Sequence, residues 1–294
     1  MAPEKSNILF VINPISGDTN KTGTEAEVMR ISKKMGFHPA IFHTTGKNDT
    51  KLLKRAINRE KPDVVVAIGG DGTCNLVGTT LRFLNLKMAI IPFGSANGMA
   101  RTLDIPNELV SAMSIIENGK TRKVDLLKVN DRFAMHLSDV GLNARIIRKF
   151  EKNKTRGLRG YAKQFIKEIF SIQAHKYKIS FGDNSFTAKA LMIVIANANK
   201  FGTGAIINPH GKIDDGKFEL IIIKPYRSIG FLRIVKAFLT GDYSNVKFVE
   251  IHQTNKAHIM NTEKQTLQVD GEIAGKPEII ELSIEPQSLE ILVP

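Results

Sequence analysis

Glycines, one carboxylate and a threonine directly follow an apolar run of this chain. The glycine-acid loop, residues 69–73 (Gly-Gly-Asp-Gly-Thr), comes after residues 64–68 (Val-Val-Val-Ala-Ile). A β-branched run that starts after Pro-Asp and ends in glycines predicts a strand buried on both faces. Glycines after such a strand let backbone N–H groups approach phosphate oxygens, because no Cβ intervenes. The lone carboxylate of Asp71 would repel phosphate, so we expect a metal ion or a hydroxyl proton as its partner.

Two more loops of this kind follow predicted strands. Residues 13–17 (Asn-Pro-Ile-Ser-Gly) follow the first strand, and residues 92–98 (Pro-Phe-Gly-Ser-Ala-Asn-Gly) follow the fourth. One Gly-rich turn is weak evidence because turns need glycine anyway, but three at one sheet edge favour a phosphate site. The sequence contains no Walker-type loop, and no G-x-G-x-x-G follows the first strand, which disfavours a conventional dinucleotide fold.

The elements that position these loops alternate between strand and helix. Such alternation predicts a mostly parallel sheet covered on both faces, in an α/β domain over residues 1–123. The predicted strands are 7–13, 38–44, 63–68 and 87–91, and the predicted helices are 22–36, 49–60, 73–84 and 106–118.

The remaining sequence is rich in short β segments, which predicts an antiparallel sandwich or barrel over residues 124–286. A last strand at about 287–294 could return to the first domain. No low-complexity linker separates the halves, so we expect two closely packed domains that share a cleft. The predicted strands are 124–129, 132–140, 176–182, 186–197, 217–224, 246–251, 256–260, 265–270 and 278–284.

Composition indicates an ordinary globular protein. The chain has 294 residues, of which 42% are hydrophobic and 24% charged. The single cysteine, Cys74, excludes an internal disulfide and fits a reducing compartment. We see no signal peptide and no apolar stretch near the roughly 20 residues that span a bilayer. These features predict a cytoplasmic protein whose membrane contact, if any, is peripheral.

The formal net charge of +13 is concentrated between Arg145 and Lys178. This basic segment contains eleven Lys and Arg residues against Glu151 and Glu168, a local net charge of +9. It could bind anionic lipid head groups or nucleic acid, or be a solvated face without a partner. We expect no nucleic-acid partner, because the sequence contains no recognised base-reading module. A transient contact with an anionic membrane surface stays open.

Two apolar stretches have two interpretations each. The first lies inside the basic segment, where an apolar stripe at helical spacing fits either a membrane contact or packing on the core. The second, residues 229–239, fits either a core helix or the wall of a lipid cleft. The stripe consists of Leu158, Tyr161, Phe165, Ile169 and Ile172.

Taken in order and spacing, the three loops resemble the diacylglycerol kinase catalytic family, which also includes sphingosine kinases. The resemblance continues with Ala196-Asn197-x-x-x-x-Gly202-x-Gly204, residues 212–218 (Lys-Ile-Asp-Asp-Gly-Lys-Phe) and residues 269–272 (Val-Asp-Gly-Glu), which are similar to the bacterial soluble lipid kinase pattern. It covers nearly the whole chain. It implies an N-terminal domain like those of NAD kinase and phosphofructokinase, followed by a β-sandwich that receives the lipid.

The resemblance also implies roles for individual residues. Glu272 would be the general base, and Asp71 would act near the catalytic magnesium or the substrate hydroxyl. Asp215 and the main-chain oxygens of Lys212 and Lys217 would bind a structural magnesium ion. The residues implied to hold ATP are Asn13, Pro14, Ser16, Gly17, Thr44, Thr45, Gly69, Gly70, Gly72, Thr73, Asn75, Ser95 and Asn97.

The implied function is an ATP- and magnesium-dependent lipid kinase that phosphorylates a diacylglycerol-like or other long-chain lipid alcohol. Two alternatives stay open: a nucleotide kinase of the NAD kinase type, and a catalytically weak protein that binds nucleotide or lipid. The second alternative is motivated by Leu76, Gly98 and Asn143, which are uncharged where members of the family commonly carry an acid. A homodimer is compatible with the sequence.

Two of these motifs also have plain structural interpretations. On spacing alone, Asp270-Gly271 is a hairpin turn, and residues 214–216 (Asp-Asp-Gly) are likewise a turn. A turn of that kind needs only modest specialisation to ligate magnesium through oxygen atoms.

Overall fold

The computed structural model describes residues 6–14, 22–141, 173–199, 206–226 and 228–294. The chain divides into two compact units. Unit 1 comprises Met1–Val124 together with Gln287–Pro294, and unit 2 comprises Asp125–Pro286.

Unit 1 is built around a parallel sheet. Its strands are β1 (Asn7–Ile12), β2 (His38–His43), β3 (Val64–Gly69) and β4 (Lys87–Pro92), and they pair in the order β2-β1-β3-β4. The final residues of a long strand, β16 (Ile279–Val293), add a further parallel neighbour to β4. Every residue of β3 is buried, as expected for a strand covered on both faces.

Five described helices accompany this sheet: α1 (Thr22–Lys34), α2 (Asp49–Glu60), α3 (Asp71–Leu81), α4 (Gly98–Thr102) and α5 (Leu109–Asn118). The predicted α/β architecture is confirmed. Two details differ from the sequence prediction. Helix α3 begins at Asp71 rather than Thr73, so part of the glycine-acid loop is the first helical turn. The short α4 was not predicted.

Unit 2 consists of antiparallel sheets, and the strand β5 (Lys120–Val129) leads into it. Its strands are β6 (Arg132–Ala134), β7 (Leu137–Gly141), β8 (His175–Phe181), β9 (Asn184–Ala190), β10 (Met192–Ala196), β11 (Phe218–Ile223), β12 (Val249–Thr254), β13 (Lys256–Met260), β14 (Leu267–Val269) and β15 (Glu272–Ile273). One sheet has the order β12-β11-β10-β7-β14-β15. In the second sheet, β13 pairs with β8 and with β16.

A continuous apolar core joins the two sheets of unit 2. It includes Ile195 and Leu220 from one sheet and Ile179 and Ile259 from the other, all fully buried. Residues that alternate along these strands therefore face a common interior, which confirms the predicted antiparallel β domain.

The helix α6 (Ser228–Thr240) covers the opposite face of one of these sheets. Ile234 and Ala237 of α6 are buried in a second cluster with Val194 of β10 and Ile221 of β11. This packing favours the core-helix interpretation of residues 229–239 on that face of the helix. The side chain of Leu239, by contrast, is exposed.

Two predicted strands of unit 2 are broken in the structure. The run 132–140 divides into β6 and β7 around Met135 and His136, and the run 186–197 divides at Leu191.

Most of the basic segment, with its apolar stripe, lies outside the described residues. Of its eleven Lys and Arg residues, Lys176 and Lys178 on β8 are described. No helix in the described part of the chain is both long and apolar enough to cross a membrane.

Candidate functional site

The four parallel strands of unit 1 end in register. Ile12 pairs with both His43 and Ile68, and Gly69 pairs with Pro92. The residues that follow these strand ends therefore lie along one edge of the sheet. This strand-end edge carries the described parts of the predicted loops, with the exposed Pro14 and the half-buried Asn13 at its β1 end. Ser16 and Gly17 lie outside the described residues.

Two of these loops pack backbone against backbone. A Cβ atom on Gly94 would lie 2.4 Å from the Cα of Gly70, and one on Gly70 would lie 3.1 Å from the Cα of Gly94. The N–H of Phe93 also donates to the carbonyl of Gly69 over 2.8 Å. Glycine is required at Gly94 because real Cβ atoms do not approach backbone atoms so closely.

The loop after β4 is closed on itself by Asn97. This residue has a left-handed backbone with φ of 53°, and its amide accepts from the N–H of Gly94 (2.8 Å) and donates to the Gly94 carbonyl (2.9 Å). Ser95 lies at the exposed tip of the same loop. Asn97 therefore shapes the loop, and Ser95 is the residue it presents to solvent.

Asp71 contacts the start of α4. Its two carboxylate oxygens accept from the backbone N–H groups of Gly98 (3.0 Å) and Met99 (3.1 Å). The metal ion or hydroxyl proton expected from the sequence is thus not needed to explain the carboxylate, since the first N–H groups of a helix need acceptors. This Asp71 clamp links the loop after β3 to the loop after β4.

The other residues of the glycine-acid loop belong to α3 or support it. Gly72 is exposed in the first turn, and Thr73 is buried. A Cβ atom on Gly69 would lie 2.3 Å from the Thr73 Oγ1 atom. Asn75 is half-buried in the second turn. Leu76 is also half-buried, and its carbonyl accepts from the Thr80 hydroxyl.

The loop after β2 is organised by Asp49. The N–H of Thr44 donates to the carbonyl of Ile12 (2.9 Å), which places Thr44 at the strand-end edge. The Thr45 hydroxyl lies 2.8 Å from Asp49 Oδ1, and the N–H groups of Thr45 and Gly46 donate to the same carboxylate. Slight burial raises the pKa of Asp49, but these hydrogen bonds outweigh it and hold the pKa below its usual value.

The predicted magnesium residues lie on a turn of unit 2. Lys212, Asp215 and Lys217 are all exposed. Asp125, which is fully buried, anchors this turn: its carboxylate accepts from the N–H of Gly216 (2.7 Å), and its own N–H donates to the carbonyl of residue 213 (2.7 Å). The position of the turn is therefore fixed from within the core.

A buried carboxylate lies beside the same turn. Glu219 accepts from Gln253 Nε2 (2.9 Å) and from the side-chain amide of Asn208. The Gln253 amide also lies 3.4 Å from an oxygen of Asp215, and its carbonyl accepts from Lys217 Nζ (3.2 Å). Burial raises the pKa of Glu219 and outweighs the hydrogen bonds that lower it.

The turn offers oxygen donors rather than a cluster of acids. Within the described ranges, no three His, Cys, Asp or Glu side chains gather into a possible metal group. The Asp215 carboxylate accepts from the Lys217 N–H at 3.1 Å and from Gln253 Nε2 at 3.4 Å, which leaves further lone pairs available. One carboxylate with main-chain oxygens fits magnesium, a cation that retains several waters and needs few protein ligands.

Glu272 begins the second strand of a tight hairpin. Val269 of β14 pairs with Glu272 of β15, and the two residues between them have positive φ, 42° for Asp270 and 89° for Gly271. The hairpin-turn interpretation of Asp270-Gly271 is therefore confirmed, since two-residue turns of this kind need positive φ at both positions. Glu272 itself is exposed.

The carboxylate of Asp270 accepts three backbone N–H groups. The donors are residues 135, 136 and 137, at 2.7, 3.1 and 2.9 Å. The N–H of Asp270 in turn donates to the carbonyl of residue 137 (2.9 Å). This Asp270 clamp lies where the predicted strand 132–140 breaks, because N–H groups that point to a side chain cannot all join a ladder.

Sequence reasoning missed Asp125, Glu219 and the supporting role of Asp270. A signal for Asp125 exists, because it is the one acid in the apolar run 124–127 (Val-Asp-Leu-Leu). A buried charge needs partners, so an acid inside a buried strand marks a polar contact. The partner itself could not be read from the sequence.

Comparison with known protein families gives two matches that together span most of the chain. Residues 7–129 match the family described as the diacylglycerol kinase catalytic domain. Residues 138–293 match the family described as the YegS C-terminal NAD kinase beta sandwich-like domain.

Curated relatives and solved structures agree with these matches. A diacylglycerol kinase of Bacillus subtilis is 27% identical over 272 residues, covering 90% of this chain and 89% of the relative. One from Staphylococcus epidermidis is 27% identical over 292 residues, covering 97% and 91%. A crystal structure of a diacylglycerol kinase from Bacillus anthracis has a TM-score of 0.76 at 19% identity and covers 100% of this chain and 98% of that one. At this identity, the structural likeness establishes the fold.

Proposed function

Because the chain belongs to the diacylglycerol kinase catalytic domain family, we propose that it transfers the γ-phosphoryl group of ATP to the hydroxyl of a diacylglycerol-like or other long-chain lipid alcohol. Membership in a lipid kinase family is established by the matched domains. The nucleotide, the lipid and the roles of individual residues are the proposal.

The observation that carries the proposal is the strand-end edge of unit 1. Four parallel strands end in register there, and the loops after β3 and β4 approach so closely that Gly94 tolerates no Cβ. Loops with few side chains leave backbone N–H groups accessible to phosphate oxygens at this edge. We assign ATP to this edge, with Ser95 and Thr44 as polar contacts.

In the proposed reaction, Glu272 accepts the proton of the lipid hydroxyl. The freed oxygen forms a bond to the γ-phosphorus, the bond from that phosphorus to the β,γ-bridging oxygen breaks, and ADP leaves. The exposure of Glu272 supports this role, because a general base must be accessible to the hydroxyl of the bound substrate.

Magnesium has two proposed places. Asp215 with the main-chain oxygens of Lys212 and Lys217 would hold a structural ion, and a second ion would accompany ATP. Bound magnesium neutralises phosphate charge during transfer. For Asp71, the clamp on α4 supports a role in fixing two loops around the nucleotide.

The test is transfer of radiolabelled phosphate from ATP with magnesium to lipids in mixed vesicles. The panel contains diacylglycerol, monoacylglycerol and sphingosine, with NAD as a soluble acceptor. We expect labelled lipid with the wild type and a roughly 1000-fold loss in E272Q, because general bases contribute about 10²- to 10⁴-fold. Glu278→Gln is the matched control: Glu278 is an exposed glutamate of unit 2 whose carboxylate lies 3.9 Å from Lys264 Nζ, and its change should leave the rate unaltered.

Three results would contradict the proposal. Label on NAD but on no lipid would indicate a nucleotide kinase. Tight ATP binding without transfer to any acceptor would indicate a binding protein. Equal activity of E272Q and the wild type would remove Glu272 from the reaction.

We also propose that the enzyme meets its substrate at an anionic membrane surface. The net charge of +13 supports this, since each basic residue near an acidic bilayer contributes about 1 kcal/mol. Vesicle sedimentation should show binding that increases with the share of phosphatidylserine and weakens as salt is added.

A further inference from the structure

Few contacts fix the position of the exposed Glu272 carboxylate. In the part of the chain that the structure describes, its side chain makes no hydrogen bond or ion pair, and the strand it begins, β15, is only two residues long. The position of this carboxylate therefore depends on the backbone that precedes it. That backbone is the Asp270-Gly271 turn.

The turn is held by more bonds than a hairpin requires. An Asp-Gly pair with two positive φ values forms a two-residue turn without outside help. Here the Asp270 carboxylate also accepts three N–H groups from residues 135–137, which lie 133 to 135 positions away in sequence. Met135, His136 and Leu137 are all buried, so these are charge-assisted bonds shielded from water.

The same segment is fixed from its other side. The carbonyl of His136 accepts from the N–H groups of Asn197 and Ala198 at 3.0 and 3.2 Å. The side-chain amide of Asn197, which is fully buried, also donates to the carbonyl of Met135 at 3.0 Å. Asp270 thus ties the hairpin to a segment that is already immobilised by the core of unit 2.

We propose that Asp270 is a positioning residue for Glu272, an inference that rests on the proposed kinase function. Asp270 does not touch substrate. Its charge fixes the turn against residues 135–137, and the turn fixes the position at which the Glu272 carboxylate accepts the hydroxyl proton. Displacing a reacting group by about 1 Å can cost about 100-fold in rate.

The experiment is a double-mutant cycle on the full chain with D270N, E272Q and the combined variant. We expect D270N to lower kcat about 100-fold and to leave KM for ATP unchanged. In the E272Q background, D270N should lower the residual rate no further, because Asp270 acts only through Glu272. Amide hydrogen exchange at residues 135–137 should accelerate in D270N, which reports the clamp independently of activity.

Glu108→Gln provides a matched control for the loss of a carboxylate clamp. Glu108 also accepts two backbone N–H groups, from Val110 (2.9 Å) and Ser111 (2.6 Å), but it caps α5 in unit 1. E108Q should keep wild-type kcat. If circular dichroism shows that D270N does not fold, D270E provides the same test, because it keeps the charge but has a longer side chain.

The outcomes separate the inference from the proposed function. Wild-type kcat in D270N beside an inactive E272Q would overturn the inference and leave the kinase function intact. An equal further loss on adding D270N to E272Q would show an independent role and would also overturn it. Failure of the wild type to phosphorylate any lipid would overturn both.

Discussion

Two aspartates, one in each unit, use their carboxylates to hold backbone N–H groups of another chain segment. Asp71 binds two groups at the start of α4, 27 and 28 residues further along the chain. Asp270 binds three groups that precede it by 133 to 135 residues. The Asp71 clamp joins consecutive strand-helix units, whereas the Asp270 clamp joins segments that only the folded β domain brings together.

The two clamps should differ in how much stability the protein loses when either carboxylate is removed. Asp71 is half-buried, and the segments it joins are also held by the contact between Gly70 and Gly94. Asp270 is half-buried too, and the donors of both aspartates are buried, but Asp270 holds three donors and Asp71 holds two. The long-range clamp should therefore matter more to stability than the local one.

The largest expected effect comes from removing each carboxylate. We expect D270A to lower the free energy of unfolding by about 4 kcal/mol, because three buried N–H groups lose a charged acceptor. D71A should cost about 2 kcal/mol, because only two donors lose their acceptor and the contact between Gly70 and Gly94 still joins the same loops. Urea denaturation followed by circular dichroism measures both. Equal losses would contradict the ranking, and E108A, which removes an exposed helix cap, should cost less than either.

A smaller effect should come from the contact between the two glycine loops. In G94A the new Cβ would meet backbone 2.4 Å away, so the loops must separate, at a cost of about 2 kcal/mol and with weaker nucleotide binding. G72A is the matched control. Nothing lies within 4 Å of its Cβ, and Gly72 is helical, so it should be neutral or stabilising by about 0.5 kcal/mol. Thermal melting compares the two variants, and similar losses of stability would refute the close contact. Nucleotide titration of G94A against the wild type measures the weaker binding.

The smallest expected effect is a difference in pH dependence between the units. Burial raises the pKa of Glu219 in unit 2 above the unfolded value of about 4.3, so stability is lost as pH rises through the raised pKa. The melting temperature of the wild type should therefore fall relative to E219Q as pH increases from about 4 to about 7.

Asp49 in unit 1 should give the opposite pH dependence of stability. Its hydrogen bonds outweigh slight burial and lower its pKa, so its contribution is present at neutral pH and lost as pH falls through the lowered pKa. D49N should therefore be less stable than the wild type at neutral pH and approach it in acid. A pH trend of the same sign for both variants would contradict this contrast.

The same contrast explains how much could be read from the sequence. In unit 1 the strands were predicted to within about two residues, because each is a buried run bounded by turn residues. The glycine loops also lie next to the strands that position them. Local patterns therefore predicted both the sheet and the edge at which its strands end.

In unit 2 the break between β6 and β7 was not predicted. Five of the nine residues 132–140 are apolar, and nothing within them signals an interruption at Met135 and His136. The cause is Asp270, far along the chain, whose carboxylate takes the N–H groups of that segment. Asp125 is a similar case, since its partner Gly216 lies 91 residues away. Contacts of this kind form only on tertiary folding, and no periodic pattern in the sequence indicates them.

The end of β16 has a consequence for how the protein is made. Residues Glu290 and Ile291 pair with Lys87 and Met88 of β4. One neighbour of β4 in the sheet is therefore synthesised after all of unit 2. While the ribosome translates unit 2, the edge of β4 offers unpaired N–H and C=O groups to any passing chain. Completion of the first sheet thus waits on translation of the second unit, and a ribosome that stalls within unit 2 would release a chain with an exposed, aggregation-prone edge.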